Sequence, residues 1–252
     1  MFTFDGRVVL ITGAGSEKGI GRATALEFAK AGADLAIADL DFAGAQNTCA
    51  LIEELGRKAL PIHLDVTDPE ACEKAVQEVV DTFGKLDVLV NNAGISQKVT
   101  IADMTIQDVE RIFKVNFYGM FNITKPAAAA MKERGYGRIV NLSSVSAKRG
   151  GGIFGGAHYS AAKAGDLGFA KNFSREYAMH GITNNSVCPG LINTDIWKTL
   201  PKEQADKIIE NIPVGRPGEI KEVAAAILFL ASEEASYITG EEIDINGGMH
   251  MD

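Results

Sequence analysis

Along the chain, short runs of β-branched and other apolar residues alternate with longer stretches in which apolar positions recur at helical spacing. The short runs are Arg7–Thr12, Leu35–Asp39, Ala59–Leu64, Val88–Asn91, Arg138–Ser143, Thr183–Cys188 and Glu242–Ile245. Several are apolar at nearly every position, as expected of strands covered by helices on both faces. The helical stretches lie near Ile20–Ala31, Phe42–Leu55, Pro69–Phe83, Thr105–Lys132, Tyr159–Met179 and Lys221–Leu230. Asp68 before Pro69 reads as an N-cap followed by a first-turn proline, and Gly32, Gly56, Gly84 and Gly181 fall where C-caps are needed. This alternation predicts an α/β fold, a doubly wound sheet of seven parallel strands with helices on both faces, in one domain over 1–252. Two stretches break the rhythm: Gly150–Gly156, rich in glycine, and Leu191–Gly218, with three of the seven prolines. Such departures mark loops that meet a ligand.

Composition narrows the function. With 46% hydrophobic and 23% charged residues there is ample side chain for a core and an ordinary surface. A net charge of −8 and no long basic stretch argue against nucleic acid, whose binding needs clustered Lys and Arg. Cys49, Cys72 and Cys188 show neither C-x-x-C spacing nor a nearby His pair, and read as buried small hydrophobes in a reducing compartment. His63, His158, His180 and His250 lie far apart, so no metal is expected. The opening residues lack a signal-peptide pattern, and the longest apolar run, Val223–Ala231, is too short to span a bilayer. The expectation is a cytoplasmic protein with no membrane partner.

Candidate chemistry begins where the first strand meets the first helix, in Gly13-Ala14-Gly15-Ser16-Glu17-Lys18-Gly19-Ile20-Gly21. Glycines there let the backbone approach a pyrophosphate, while free N–H groups and the helix dipole favour negative charge. The second strand ends in Asp39, with Leu40 beside it, 20 residues after Gly19, where a Rossmann-type fingerprint places an acid for the adenosine ribose hydroxyls. Asp39 would repel a 2′-phosphate and favour NAD over NADP; Lys18 pulls towards NADP. Asp65 and Val66 follow the third strand and Asn91-Asn92-Ala93-Gly94 closes the fourth, all at carboxyl ends where ligands bind in open α/β sheets.

A second centre is Tyr159-Ser160-Ala161-Ala162-Lys163, which puts a phenol and an ammonium on one helix face. A cation there would favour the phenolate and suit the tyrosine to proton transfer. Taken with Thr12-Gly13 through Gly19-Ile20-Gly21, Asn91–Gly94, Val115-Asn116-Phe117-Tyr118-Gly119, Ser143-Ser144 and Pro189-Gly190, the chain resembles the short-chain dehydrogenase/reductase family over essentially its whole length. The resemblance implies that Tyr159 is the general acid/base, that Lys163 lowers its pKa and binds the nicotinamide ribose, and that Ser144 hydrogen-bonds the reacting oxygen. It implies that Asn116 holds a water linking Lys163 to solvent, that Asp65 lies near adenine, and that Ile192 and Thr194, after Pro189-Gly190, contact the nicotinamide carboxamide. It further implies a homotetramer, with Thr105–Lys132 and Tyr159–Met179 pairing across one interface and the C-terminal helix and strand across another. Two departures stand out: Gly13 and Gly19 are further apart than usual, and the stretch from Ser144 to Tyr159 is longer.

The resemblance implies a substrate lid at 191–218, and Ser144, Ser146, Phe154, His158, Tyr159 and Trp197 are the candidate substrate contacts. The apparent NAD preference points to oxidation of a secondary alcohol, a small polyol or sugar-like compound, with the ketone as its partner. The alternatives are an NADPH-dependent 3-oxoacyl-(carrier protein) reductase and, in another class, a noncatalytic dinucleotide-binding scaffold. An intact Asn116, Ser144, Tyr159 and Lys163 set argues against the scaffold.

Overall fold

A computed structural model describes residues 2–151, 154–194 and 202–252. Seven strands, β1 (Val8–Thr12), β2 (Asp34–Asp39), β3 (Ala59–His63), β4 (Val88–Asn91), β5 (Gly137–Leu142), β6 (Ile182–Pro189) and β7 (Glu242–Ile245), form one sheet. They pair in parallel in the order β3-β2-β1-β4-β5-β6-β7. The winding reverses between β1 and β4, so the connections leaving their carboxyl ends diverge and open a crevice there.

Alternate residues of each strand feed two separate cores. On one face Val9, Ile11, Leu35, Ile37, Val88 and Val140 meet Phe28 of α1 (Ile20–Lys30), Ile52 of α2 (Phe42–Glu54) and Ile227 of α9 (Ile220–Ala231). On the other, Val8, Leu10, Ala36, Leu89 and Ile139 meet Val76 and Val79 of α3 (Pro69–Phe83), Ile123 and Met131 of α5 (Gly119–Arg134) and Phe173 of α7 (Ala157–Tyr177). Each fully buried Leu or Ile contributes about 1.5–3 kcal/mol of transfer free energy, which is why the central strands β1, β2 and β4 are apolar at nearly every position.

The strand expectations agree with the structure to within a residue or two at each end, and Asp68 caps α3 by accepting from the N–H groups of Glu70 and Ala71. Gly84 ends that helix in the left-handed region at φ 77°, its N–H donating to the Val80 carbonyl. One helical expectation changes, and two helices are new. Thr105–Lys132 is not one helix: α4 (Ile106–Phe113) passes through a π-helical turn (Lys114–Tyr118) into α5. Two further helices were not anticipated, α6 (Val145–Arg149) and α8 (Lys202–Ile209) within the expected lid. α6 is too short to print a period, and α8 sits in a stretch dominated by prolines. Among the described residues no helix is long and apolar enough to cross a membrane.

Candidate active site

β1 ends at Thr12, and the chain turns at Gly13, φ 69°, towards α1. A Cβ on Gly13 would stand 2.7 Å from the Ala93 Cα, and one on Gly21 2.6 Å from the Gly13 carbonyl oxygen. These approaches are fixed by hydrogen bonds. Thr12 Oγ1 accepts from the N–H groups of Asn92 (3.2 Å) and Ala93 (3.1 Å), and Asn92 Nδ2 donates to the carbonyls of Thr12 (2.9 Å) and Gly13 (2.6 Å). The glycine turn and the Asn92-Ala93-Gly94 turn are therefore one joint. Buried Arg22 braces it from below, donating from Nη2 to the carbonyls of Gly15 (2.7 Å) and Gly44 (3.2 Å).

α1 starts at Gly19 with no side-chain cap, and among the described residues no side chain takes up its first-turn N–H groups; Ile20 and Gly21 open that turn, and Ser16 and Lys18 are exposed in the loop before it. An uncapped helix start beside glycines with no room for a Cβ fits a dinucleotide pyrophosphate. Asp39, at the end of β2, accepts from the Gly15 N–H through Oδ2 (2.7 Å) and the Asp41 N–H through Oδ1 (2.9 Å), which pins the carboxylate against the turn. Leu40 beside it is 64% exposed. After β3, Asp65 is exposed and accepts from the Thr67 N–H at 2.8 Å, while Val66 is buried and its carbonyl accepts from Asn122 Nδ2 at 2.9 Å.

β5 delivers the next group. Ser143 Oγ donates to the Lys163 carbonyl at 2.9 Å, tying the strand end to α7. Ser144 caps α6, its Oγ accepting from the Ser146 N–H at 3.1 Å, and among the described residues the hydroxyl proton has no acceptor, which leaves it for a ligand. Tyr159 and Lys163 lie one turn apart on α7. Gly155 abuts the Tyr159 ring so closely that a Cβ there would overlap Cδ1. Lys163 is buried, and its Nζ donates to the Leu142 carbonyl (2.7 Å) and to Asp166 Oδ2 (3.2 Å). Burial raises the Asp166 carboxyl to about 6 against the downward pull of Lys163.

Asn116, buried in the π-helical turn, donates from Nδ2 to the carbonyls of Ile95 (2.9 Å) and Ile112 (3.0 Å) and accepts from the Ile95 N–H at 3.2 Å. Gly94 lies between it and Lys163: a Cβ on Gly94 would stand 2.7 Å from Asn116 Oδ1 and 3.8 Å from Lys163 Nζ. The π-turn, the β4 turn and α7 thus converge on one spot, a common use of π-bulges.

Ser144 and Tyr159 open onto a cleft of about 810 Å³ that is also lined by Ser146, Phe154, Ile20, Pro189, Gly190, Ile192 and Thr194. The Gly190 N–H donates to the Ile245 carbonyl at 2.9 Å, and Ile192 forms a bridge with Gly218 that closes the base of the lid stretch. His158 does not join this lining. One residue before Tyr159 on a helix lies about 100° away around the axis, and His158 is buried with Nε2 3.3 Å from Gln97 Oε1. Trp197 lies outside the described residues. The cleft also draws in residues that sequence reasoning did not single out, among them Ser96, Lys98, Arg149 and Lys207, together with Met249 of the tail. Arg149 sits at the end of the unanticipated α6 and donates to the Met249 carbonyl at 3.2 Å, so the returning tail forms part of the wall.

Burial pushes the thiols of Cys49, Cys72 and Cys188 up to about 12, which makes them inert at ordinary pH. Asp244, His250 and Asp252 gather in metal-like fashion, but Lys148 Nζ pairs with both carboxylates and supplies the positive charge itself.

The family model described as Enoyl-(Acyl carrier protein) reductase matches residues 13–250. A short-chain type dehydrogenase/reductase of Sinorhizobium fredii is 45% identical over 97% of both chains. The 3-oxoacyl-[acyl-carrier-protein] reductase of Escherichia coli is 41% identical over 98% of this chain and 99% of its own. The crystal structure of levodione reductase superposes with a TM-score of 0.92 at 35% identity, covering 97% of this chain and 98% of that one. With a parallel seven-stranded sheet, a glycine turn clasped to the β4 turn and near-complete coverage by these relatives, the chain belongs to the short-chain dehydrogenase/reductase family and is an NAD(P)-dependent oxidoreductase.

Proposed function

We propose that the protein oxidises a small secondary alcohol, polyol or sugar-like, with NAD, runs the ketone reduction in reverse, and works as a cytoplasmic homotetramer. The observation that carries this reading is the shared cleft: the free hydroxyl proton of Ser144 and the phenol of Tyr159 border the same space as Ile20 and the segment from Pro189 to Thr194. A bound nicotinamide ring supplies the hydride acceptor. Ser144 donates to the substrate oxygen and steadies charge on it. Tyr159 takes the alcohol proton in oxidation and returns it in reduction. Lys163 holds positive charge under the site, and Asn116 fixes the Ile95 backbone and with it the loop that carries Gly94. Apolar walls from Val145, Phe154, Leu191 and Ile192 keep water from the reacting carbon. Asp39 supports NAD, because its pinned carboxylate opposes a 2′-phosphate.

The test is turnover of a panel of polyols, simple secondary alcohols and 3-oxoacyl thioesters with NAD and with NADP. The expected outcome is alcohol oxidation with NAD; in Tyr159→Phe the rate falls by roughly 10²–10⁴ while dinucleotide binding persists. Asp39→Ser is expected to move the NAD/NADP preference towards NADP by about tenfold or more, the equivalent of ~1.4 kcal/mol. Thioester reduction with NADPH alone would overturn the reading in favour of a second one, a 3-oxoacyl-carrier reductase. One feature favours that alternative: Lys98, Arg149 and Lys207 line the cleft and no carboxylate does among the described residues, which suits a phosphate-bearing carrier.

A further inference from the structure

One buried ionisable side chain of α7 has no part in the chemistry above. Asp166 lies one turn beyond Lys163 and is 1% exposed. A carboxylate so placed is destabilised unless a cation or several donors answer it. Among the described residues its sole hydrogen-bond partner is Lys163, whose Nζ stands 3.2 Å from Oδ2; Oδ1 has no donor in reach. Among the described residues, the elements packed against α7, namely α4, α6, β6, the π-helical turn and the 3-10 turn Ala178–His180 with its His180, bring no other charged group to bear on it. Burial holds its carboxyl at about 6, above the usual range, and it is ionised at neutral and alkaline pH.

The lysine has three N–H groups. One goes to the Leu142 carbonyl at 2.7 Å and one to Asp166, while the ammonium lies beside Gly94 and Asn116. One N–H is left for the site. We propose that Asp166 is a positioning residue for Lys163: its carboxylate completes a two-point tether on the ammonium and offsets part of its charge, so that proton transfer through Tyr159 is governed by the pair and not by the lysine alone. This rests on Tyr159 being the proton-transfer group of the proposed oxidation.

Asp166→Asn keeps the shape and removes the charge. With kcat/KM for alcohol oxidation followed from pH 5 to 10, the rising limb of this variant is expected about one pH unit below that of wild type, since an uncompensated ammonium favours the phenolate. KM for the dinucleotide should change little. Asp166→Leu, which also cuts the tether, should show the same displacement with a lower plateau. A side chain serving only packing would alter the melting temperature and the plateau without moving the limb. A limb unmoved in both folded variants overturns the proposal. A second readout needs no turnover: the ¹³C titration of the Asp166 carboxyl should move up by about one unit or more in Lys163→Met, and an unmoved titration also overturns it. Loss of turnover in wild type with the titration shift intact would instead strike the assignment of the reaction.

Discussion

Tyr159 is useful only if its ring stays where α7 puts it, and Gly155 is what leaves room for that. A methyl group at Gly155 would collide with Tyr159 Cδ1, and the ring sits on a helix with little freedom to retreat. Gly155→Ala is therefore expected to lower kcat by about 10²-fold, the effect of displacing a reacting group by an ångström or so. Its melting temperature should stay near that of wild type, and kinetics set beside a thermal melt check both halves. His158, next in the chain, illustrates the limit of reasoning by neighbourhood: it faces Gln97 and not the cleft. Arg22 and Asp166 were illegible for a related reason. A charged residue on a helix reads as solvated surface until packing shows it buried, and only then does its partner, the Gly15 carbonyl or Lys163, become apparent.

Elements were legible where a period could repeat. The apolar strands and the long helices α1, α2, α3 and α9 announce themselves, whereas the π-turn at Asn116 depends on an amide reaching back to Ile112 and across to Ile95. The second of those contacts spans 21 residues and leaves no periodic trace. The start of α9 carries a clamp of the same nonperiodic kind. Arg216 grips Glu222 with two hydrogen bonds, 2.8 and 2.7 Å, and the Glu219 N–H donates to the same carboxylate at 2.7 Å. Arg216 holds the Glu222 carboxyl at about 2, below its ordinary 4.5. The folded state therefore prefers the ionised form, so this contribution is present above pH 4.5 and is lost as pH falls towards 2. Arg216→Gln should unfold at a higher pH than wild type in an acid titration followed by circular dichroism. Below pH 2, where Glu222 becomes protonated in both, the difference should shrink.

At the scale of the whole molecule, one outer face is aromatic. Phe121 and Tyr118 are 44% and 53% exposed, and Phe169 of α7 meets Phe117 and Phe121 at ring-centroid distances of 6.4 and 6.1 Å. Such a ridge suits the pairing of α5 and α7 across a subunit boundary, as the proposed homotetramer requires. Light scattering should find four chains per particle, and Phe121→Glu should yield a smaller species; a monomeric wild type would end this part of the reading. The reversal of winding at β1 and β4 also bears on how the protein is made. Val8 and Asp87, 79 residues apart, are joined across that seam by a hydrogen bond of 2.9 Å, and neither β1 nor β4 has both its neighbours until the two meet. Synthesis must therefore finish β4 before the centre of the sheet can close, which makes refolding slow and leaves unpaired edges open to aggregation in the meantime. Heat damage to this enzyme is accordingly best measured as a half-life.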